Sequence, residues 1–164
     1  MTSQDRFLSG YLPYVLRRAD QALSDPFYEV LAEYGIARSE WRALAVLHEF
    51  GDLGVVELAS TALSPQPTIT HALRRLEKRA FITRAPGTTD KRQRIVSLTA
   101  SGKKLTKTLM VEALRLEAEA LEEFGEVADL VHQLQTLINA AEARRQETHR
   151  QETRRQEKGA AHAG

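Results

Sequence analysis

Thr68, Thr70, His71, Arg74 and Arg75 fall in one short run of the chain, and Lys91, Arg92 and Arg94 form a second cationic group soon after. Hydroxyls, an imidazole and planar guanidinium forks can hold phosphate oxygens and the edges of heteroaromatic rings by hydrogen bonding, without making or breaking a bond. The residues that catalysis needs are not arranged for it. The five histidines, His48, His71, His132, His149 and His162, are scattered, and no His-Glu-x-x-His, Gly-rich phosphate loop or nucleophile-elbow spacing occurs. Glu112, Glu117, Glu119, Glu122 and Glu123 read as the solvated face of a long helix rather than as metal ligands. The expectation is therefore no catalytic residue, no metal and no cofactor.

The elements that must position the two polar groups can be read from periodicity. Val55 to Leu63 has a short amphipathic helical pattern, Ser64-Pro65-Gln66-Pro67 supplies a turn, and Ile69, Leu73 and Leu76 then recur at helical spacing. Two short helices joined tightly, the second with Thr, His and Arg off its apolar face, describe a helix-turn-helix whose second helix can enter a major groove. Ser64 and Gln66 stand at the entry to that helix and join the candidate contacts. Downstream, Ile95, Ser97 and Thr99 alternate with Val96 and Leu98 as in a half-buried strand, while Pro86, Gly87 and the Thr88 to Asp90 run supply a turn. Helix, turn, helix and basic hairpin in that order make a winged helix-turn-helix.

Charge along the chain supports a nucleic-acid partner, although the formal net charge is only +1. Residues 66–98 hold eight Lys or Arg (Arg74, Arg75, Lys78, Arg79, Arg84, Lys91, Arg92, Arg94) against Glu77 and Asp90, while the flanks are mildly acidic. The excess coincides with the two elements that would face a phosphate backbone, which separates it from an ordinary solvated helix face.

The run Asp90-Lys91-Arg92-Gln93-Arg94-Ile95-Val96-Ser97-Leu98-Thr99, with Gly102 following, resembles the wing signature of the MarR (multiple-antibiotic-resistance regulator) family: D-[RK]-R, an aliphatic strand, then L-T-x-x-G. Glu57-Leu58-Ala59, Thr68-Ile69-Thr70, Leu76-Glu77-Lys78 and Ile82-Thr83-Arg84 look like further landmarks of that family, in order and at matching spacing. The resemblance covers roughly residues 12–140, and several linked landmarks make it specific.

The resemblance implies a mainly α fold, a homodimeric winged helix-turn-helix regulator of about six helices and a two-stranded wing. It places Thr68, Thr70, His71, Arg74 and Arg75 on the exposed face of a recognition helix. Arg92 becomes the wing-tip arginine for a minor groove, oriented by Asp90. Two positions depart from the family. Ala80 replaces a helix-ending Gly, at a cost of about 1 kcal/mol if that position is left-handed. Ala37 replaces a common capping Thr, which removes a cap of similar worth.

The expected organisation is an N-terminal dimerisation helix over 1–34, a DNA-binding domain over 35–100, C-terminal dimerisation helices over 101–145 and a polar charged tail over 146–164. An amphipathic run from Tyr11 to Tyr34 leaves a break at Asp25-Pro26 open, and Val127, Leu130, Val131, Leu134, Leu137 and Ile138 form a clean helical stripe. The terminal helices carry more apolar surface than one chain can cover. A second copy would cover it, and a two-fold dimer implies a double-stranded operator with inverted half-sites about one helical turn apart. The tail near-repeat from Arg145 to Glu157 has no apolar stripe and either extends the last helix into solvent or frays, with disorder expected from Gly159.

Zero cysteines exclude disulfides, thiolate zinc sites and cysteine-based peroxide sensing. With no signal-peptide pattern at the start and no apolar run fit for a membrane span, a cytoplasmic, nucleoid-associated protein of a bacterium or archaeon is expected, with no membrane partner. The resemblance also implies a small aromatic or phenolic acid effector held between dimer helices and reading head. Tyr14, Arg17, Arg18, Arg38, Trp41 and His48 are its candidate ligands, with arginine for a carboxylate and aromatics for a ring. The bland alternative keeps Trp41 in the core and the arginines on the surface, which would leave a constitutive repressor or architectural protein without an effector.

Overall fold

The computed structural model describes residues 7–87, 94–125 and 127–161; Asp90, Lys91 and Arg92 lie outside the described residues. The first elements are α1 (Phe7–Gly10), α2 (Leu12–Glu33), α3 (Arg38–Phe50), β1 (Leu53–Gly54), α4 (Val55–Thr61) and α5 (Gln66–Lys78). They are followed by β2 (Ile82–Pro86), β3 (Arg94–Leu98), α6 (Ala100–Leu121) and α7 (Ala128–Ala161). The helix-turn-helix is α4 and α5, and the wing is built on β2 and β3.

Apolar periodicity predicts the core well. Leu44 on α3, Leu58 on α4 and Ile69, Leu73 and Leu76 on α5 are all 0% exposed, and Val96 from the wing and Leu109 from α6 close the same cluster. Burial of each such side chain stabilises by about 1.5–3 kcal/mol, so this cluster, not helix propensity, sets the angle at which α5 is presented.

The wing departs from the two-stranded expectation. Strand order is β1-β3-β2, antiparallel throughout, with Leu53 opposite Val96 and Arg84 opposite Val96 on the other side. β3 is thus a central strand, which explains the complete burial of Val96. A strand of two residues carries no periodic signal, so β1 was invisible in the sequence.

Two helical boundaries also differ. α2 runs unbroken through Pro26, because Phe27 and Leu31, 6% and 1% exposed, anchor its second half on the core despite the missing N–H. α7 continues through the charged tail to Ala161, where disorder was expected from Gly159. Ala, Gln, Glu and Arg are good helix formers, and Gln151 Nε2 donates to Glu147 Oε1 one turn back at 3.0 Å. With the short α1, the described residues hold seven helices rather than about six.

The chain forms two compact units, Met1–Ala120 and Leu121–Gly164. Each carries uncovered apolar side chains. In the first, Phe7, Leu12, Val15, Val111 and Leu114 are exposed; in the second, Phe124, Leu130, Val131, Leu137 and Ile138 are.

Candidate nucleic-acid interface

Local geometry dictates how α5 is launched. Leu63 takes a left-handed φ of +48° in the turn after α4, Pro65 precedes the helix and Pro67 sits in its first turn, where a missing N–H costs nothing. Ser64 lies in that turn, its N–H donating to the Ala59 carbonyl at 3.1 Å. From there Gln66, Pro67, Thr70, His71 and Arg74 line one shallow depression of about 430 Å³. The spacing i, i+4, i+8 puts Gln66, Thr70 and Arg74 in one row along the helix.

Arg74 also borders a second depression with Glu77, Arg84 and Arg94, which carries the polar face of α5 onto the foot of the wing. Arg94 is exposed at the start of β3, opposite Pro86. Thr68 and Arg75 are exposed but line neither depression. Sequence reasoning missed Lys78, exposed four residues after Arg74 on the same row and without an ion pair among the described residues. The i, i+4 step from Arg74 would have found it.

Three of the cations that made residues 66–98 basic are committed inside the protein. Arg75 Nε lies 2.9 Å from Glu40 Oε1, and Arg84 Nη2 lies 2.6 Å from Glu77 Oε2. Arg79 donates to the Gly35 and Tyr34 carbonyls at 2.7 and 3.0 Å, capping the end of α2 while its guanidinium sits over the Phe81 ring. Local charge counting overstates the cations free to meet phosphate.

The candidate effector residues divide. Arg17 and Trp41 line one cleft of about 600 Å³ together with Asp20, Arg42, Val46 and Leu63. Trp41 is half-buried, edge-on to Phe27 at 5.0 Å between centroids, so it serves the core and the cleft together. Arg38 stacks over Tyr28 at 3.7 Å and faces Asp25 at 3.8 Å, outside this cleft. His48 borders a separate depression with Lys103 and Lys107, while Tyr14 and Arg18 lie exposed on α2 and line no described cleft. Among the described residues no group of three or more His, Asp or Glu could hold a metal, and no helix is long and apolar enough to cross a membrane.

The MarR family model matches residues 36–93, the stretch from the start of α3 into the wing. The fold agrees: the crystal structure of the MarR family transcriptional regulator SPO1453 from Silicibacter pomeroyi superposes with a TM-score of 0.73 at 29% identity, covering 84% of this chain and 99% of that one. Over the stretch that holds the helix-turn-helix, the chain is similar to the MarR family. Regulators of that family are DNA-binding transcription factors and not enzymes. The homoprotocatechuate degradative operon repressor of Escherichia coli is 26% identical to it over 140 residues, 83% of this chain and 93% of the relative. NadR, solved in complex with 4-hydroxyphenylacetate, matches with a TM-score of 0.70 at 28% identity, over 86% of this chain and 98% of NadR.

Proposed function

We propose that this chain is a MarR-type transcription regulator, a homodimeric repressor that holds an inverted-repeat operator and is released by a small aromatic or phenolic acid. The observation that carries the DNA half is the continuity of the α5 row with the wing foot through Arg74. On this reading α5 enters the major groove with Gln66, Thr70, His71 and Arg74 toward the bases. Ser64, Thr68, Lys78, Lys91 and Arg94 take phosphates, and Arg92, steadied by Asp90, reaches the minor groove. Uncovered apolar side chains at both ends of the chain support a second copy, since a lone soluble chain rarely exposes so many together.

The effector half rests on the Arg17 and Trp41 cleft, where a guanidinium can hold a carboxylate and an indole can meet a ring. A repressor of an aromatic-acid degradative operon and a neighbour solved with a hydroxyphenyl acid support that ligand class. The ligand would favour a dimer shape whose paired recognition helices no longer match the half-site spacing.

The test combines sedimentation, anisotropy with duplex DNA across salt concentrations, and melting against a panel of aromatic acids. A dimer with salt-dependent affinity and a ligand-raised melting point is expected. A monomer at micromolar concentration, or indifference to duplex DNA in dilute buffer, would overturn the DNA reading. Absence of any melting shift would leave a constitutive repressor.

A further inference from the structure

Glu40 is a fully buried carboxylate in the first turn of α3, and Arg75 on α5 faces it. Glu40 Oε2 accepts the Ala37 N–H at 2.7 Å, the half of a capping box that needs no side chain on Ala37, while Oε1 lies 2.9 Å from Arg75 Nε. Its exposure is 0%, against 52% for the Arg75 side chain. A buried carboxylate needs a countercharge, and no other cation is paired with Glu40 among the described residues. If Arg75 turned to a DNA phosphate, it would strand that charge.

We propose that Arg75 is a positioning residue: held beside Glu40 by charge, with no hydrogen bond to Oε1, it fixes the rotation of the recognition helix on α3, so that the neighbouring Arg74 points at DNA. This rests on the proposed function and changes the role that the family resemblance gave Arg75. The two residues of α3 after Glu40, Trp41 and Arg42, line the cleft that holds Arg17. The cleft and the recognition helix therefore share one short rigid piece. A ligand that displaces this piece acts on α5 through the Glu40–Arg75 pair, without any contact to the helix itself.

The experiment compares wild type with Arg75→Gln, Arg75→Lys, Glu40→Gln and the double variant Glu40→Gln/Arg75→Gln. The probes are a duplex selected by the wild-type protein from a random pool and an unselected random duplex of equal length. Selection by wild type tests the DNA reading by itself; the variants test the pair. Positioning predicts that Arg75→Gln lowers the preference for the selected duplex by roughly tenfold or more, the scale of one lost base contact, with the wild-type salt slope retained. Arg75→Lys, which keeps the charge but has no nitrogen at the Nε position that faces Glu40, should lose preference as well. Glu40→Gln should act in the same direction, and the double variant should be no worse than Arg75→Gln. A salt slope reduced by about one unit in Arg75→Gln on both duplexes, with Glu40→Gln behaving as wild type, would make Arg75 a phosphate contact and overturn the proposal. Should Arg75→Gln fail to fold, wild-type preference in Arg75→Lys would overturn it equally.

Discussion

Gly102 lies so close to the Phe81 carbonyl that a Cβ at position 102 would overlap that oxygen. Around this contact, Thr99 N–H donates to Phe81 O at 3.0 Å, and the Thr99 and Ser101 hydroxyls donate to Ala80 O at 2.7 and 2.9 Å. Thr99 Oγ1 also accepts the Gly102 N–H at 3.0 Å, capping α6. The L-T-x-x-G stretch is thus a clip that ties the exit of the wing to the end of the recognition helix.

Gly102→Ala should break the clip. The obstructing atoms are backbone and cannot rotate away, so a loss of at least about 3 kcal/mol is expected, at the upper end of overpacking costs. Urea denaturation gives the value; an unchanged midpoint would mean that α6 can slide away from Phe81 freely.

Ala80→Gly should do the opposite. Ala80 follows α5 with φ +56°, so a glycine relieves the left-handed strain and should stabilise by about 1 kcal/mol. Ala80 contributes only its carbonyl to the clip, which glycine keeps. A melting point at or below that of wild type would count against strain at this turn.

Arg74→Ala should lower the preference for a true operator over random DNA by ~1–3 kcal/mol, as expected if its fork reads a base edge. Equal weakening on both DNAs would reassign it to a phosphate.

Arg92→Ala should weaken binding to all duplexes and reduce the slope of log affinity against log salt by about one unit. Affinity unchanged at every salt concentration would take the wing tip out of the interface.

Arg17→Ala should leave DNA affinity intact and remove the melting-point rise produced by aromatic acids. A dose response equal to wild type would place the carboxylate partner elsewhere.

Much of this molecule was legible in one dimension. The apolar rows of α3, α4 and α5 announced their buried faces because a helix repeats every 3.6 residues, and the alternation Ile95 to Thr99 announced a strand. The polar face of α5 with Thr70, His71 and Arg74, and the left-handed cost at Ala80, were implied by the family resemblance rather than by periodicity. β1 gave no such signal, and the continuity of α2 through Pro26 depended on core packing that a local rule against proline does not include.

Sequence alone therefore determined the local elements, the order helix-turn-helix and wing, and the chemistry available on each face, because these depend on spacing along the chain. Only tertiary structure decided what each cation is for. Arg74 and Arg75 are adjacent in sequence and alike in composition, yet one borders the open surface of α5 and the wing while the other faces Glu40. The physical reason is that a charge's role is set by the nearest opposite charge in space, and Glu40 is brought to Arg75 by the packing of α3 on α5, which no local pattern records.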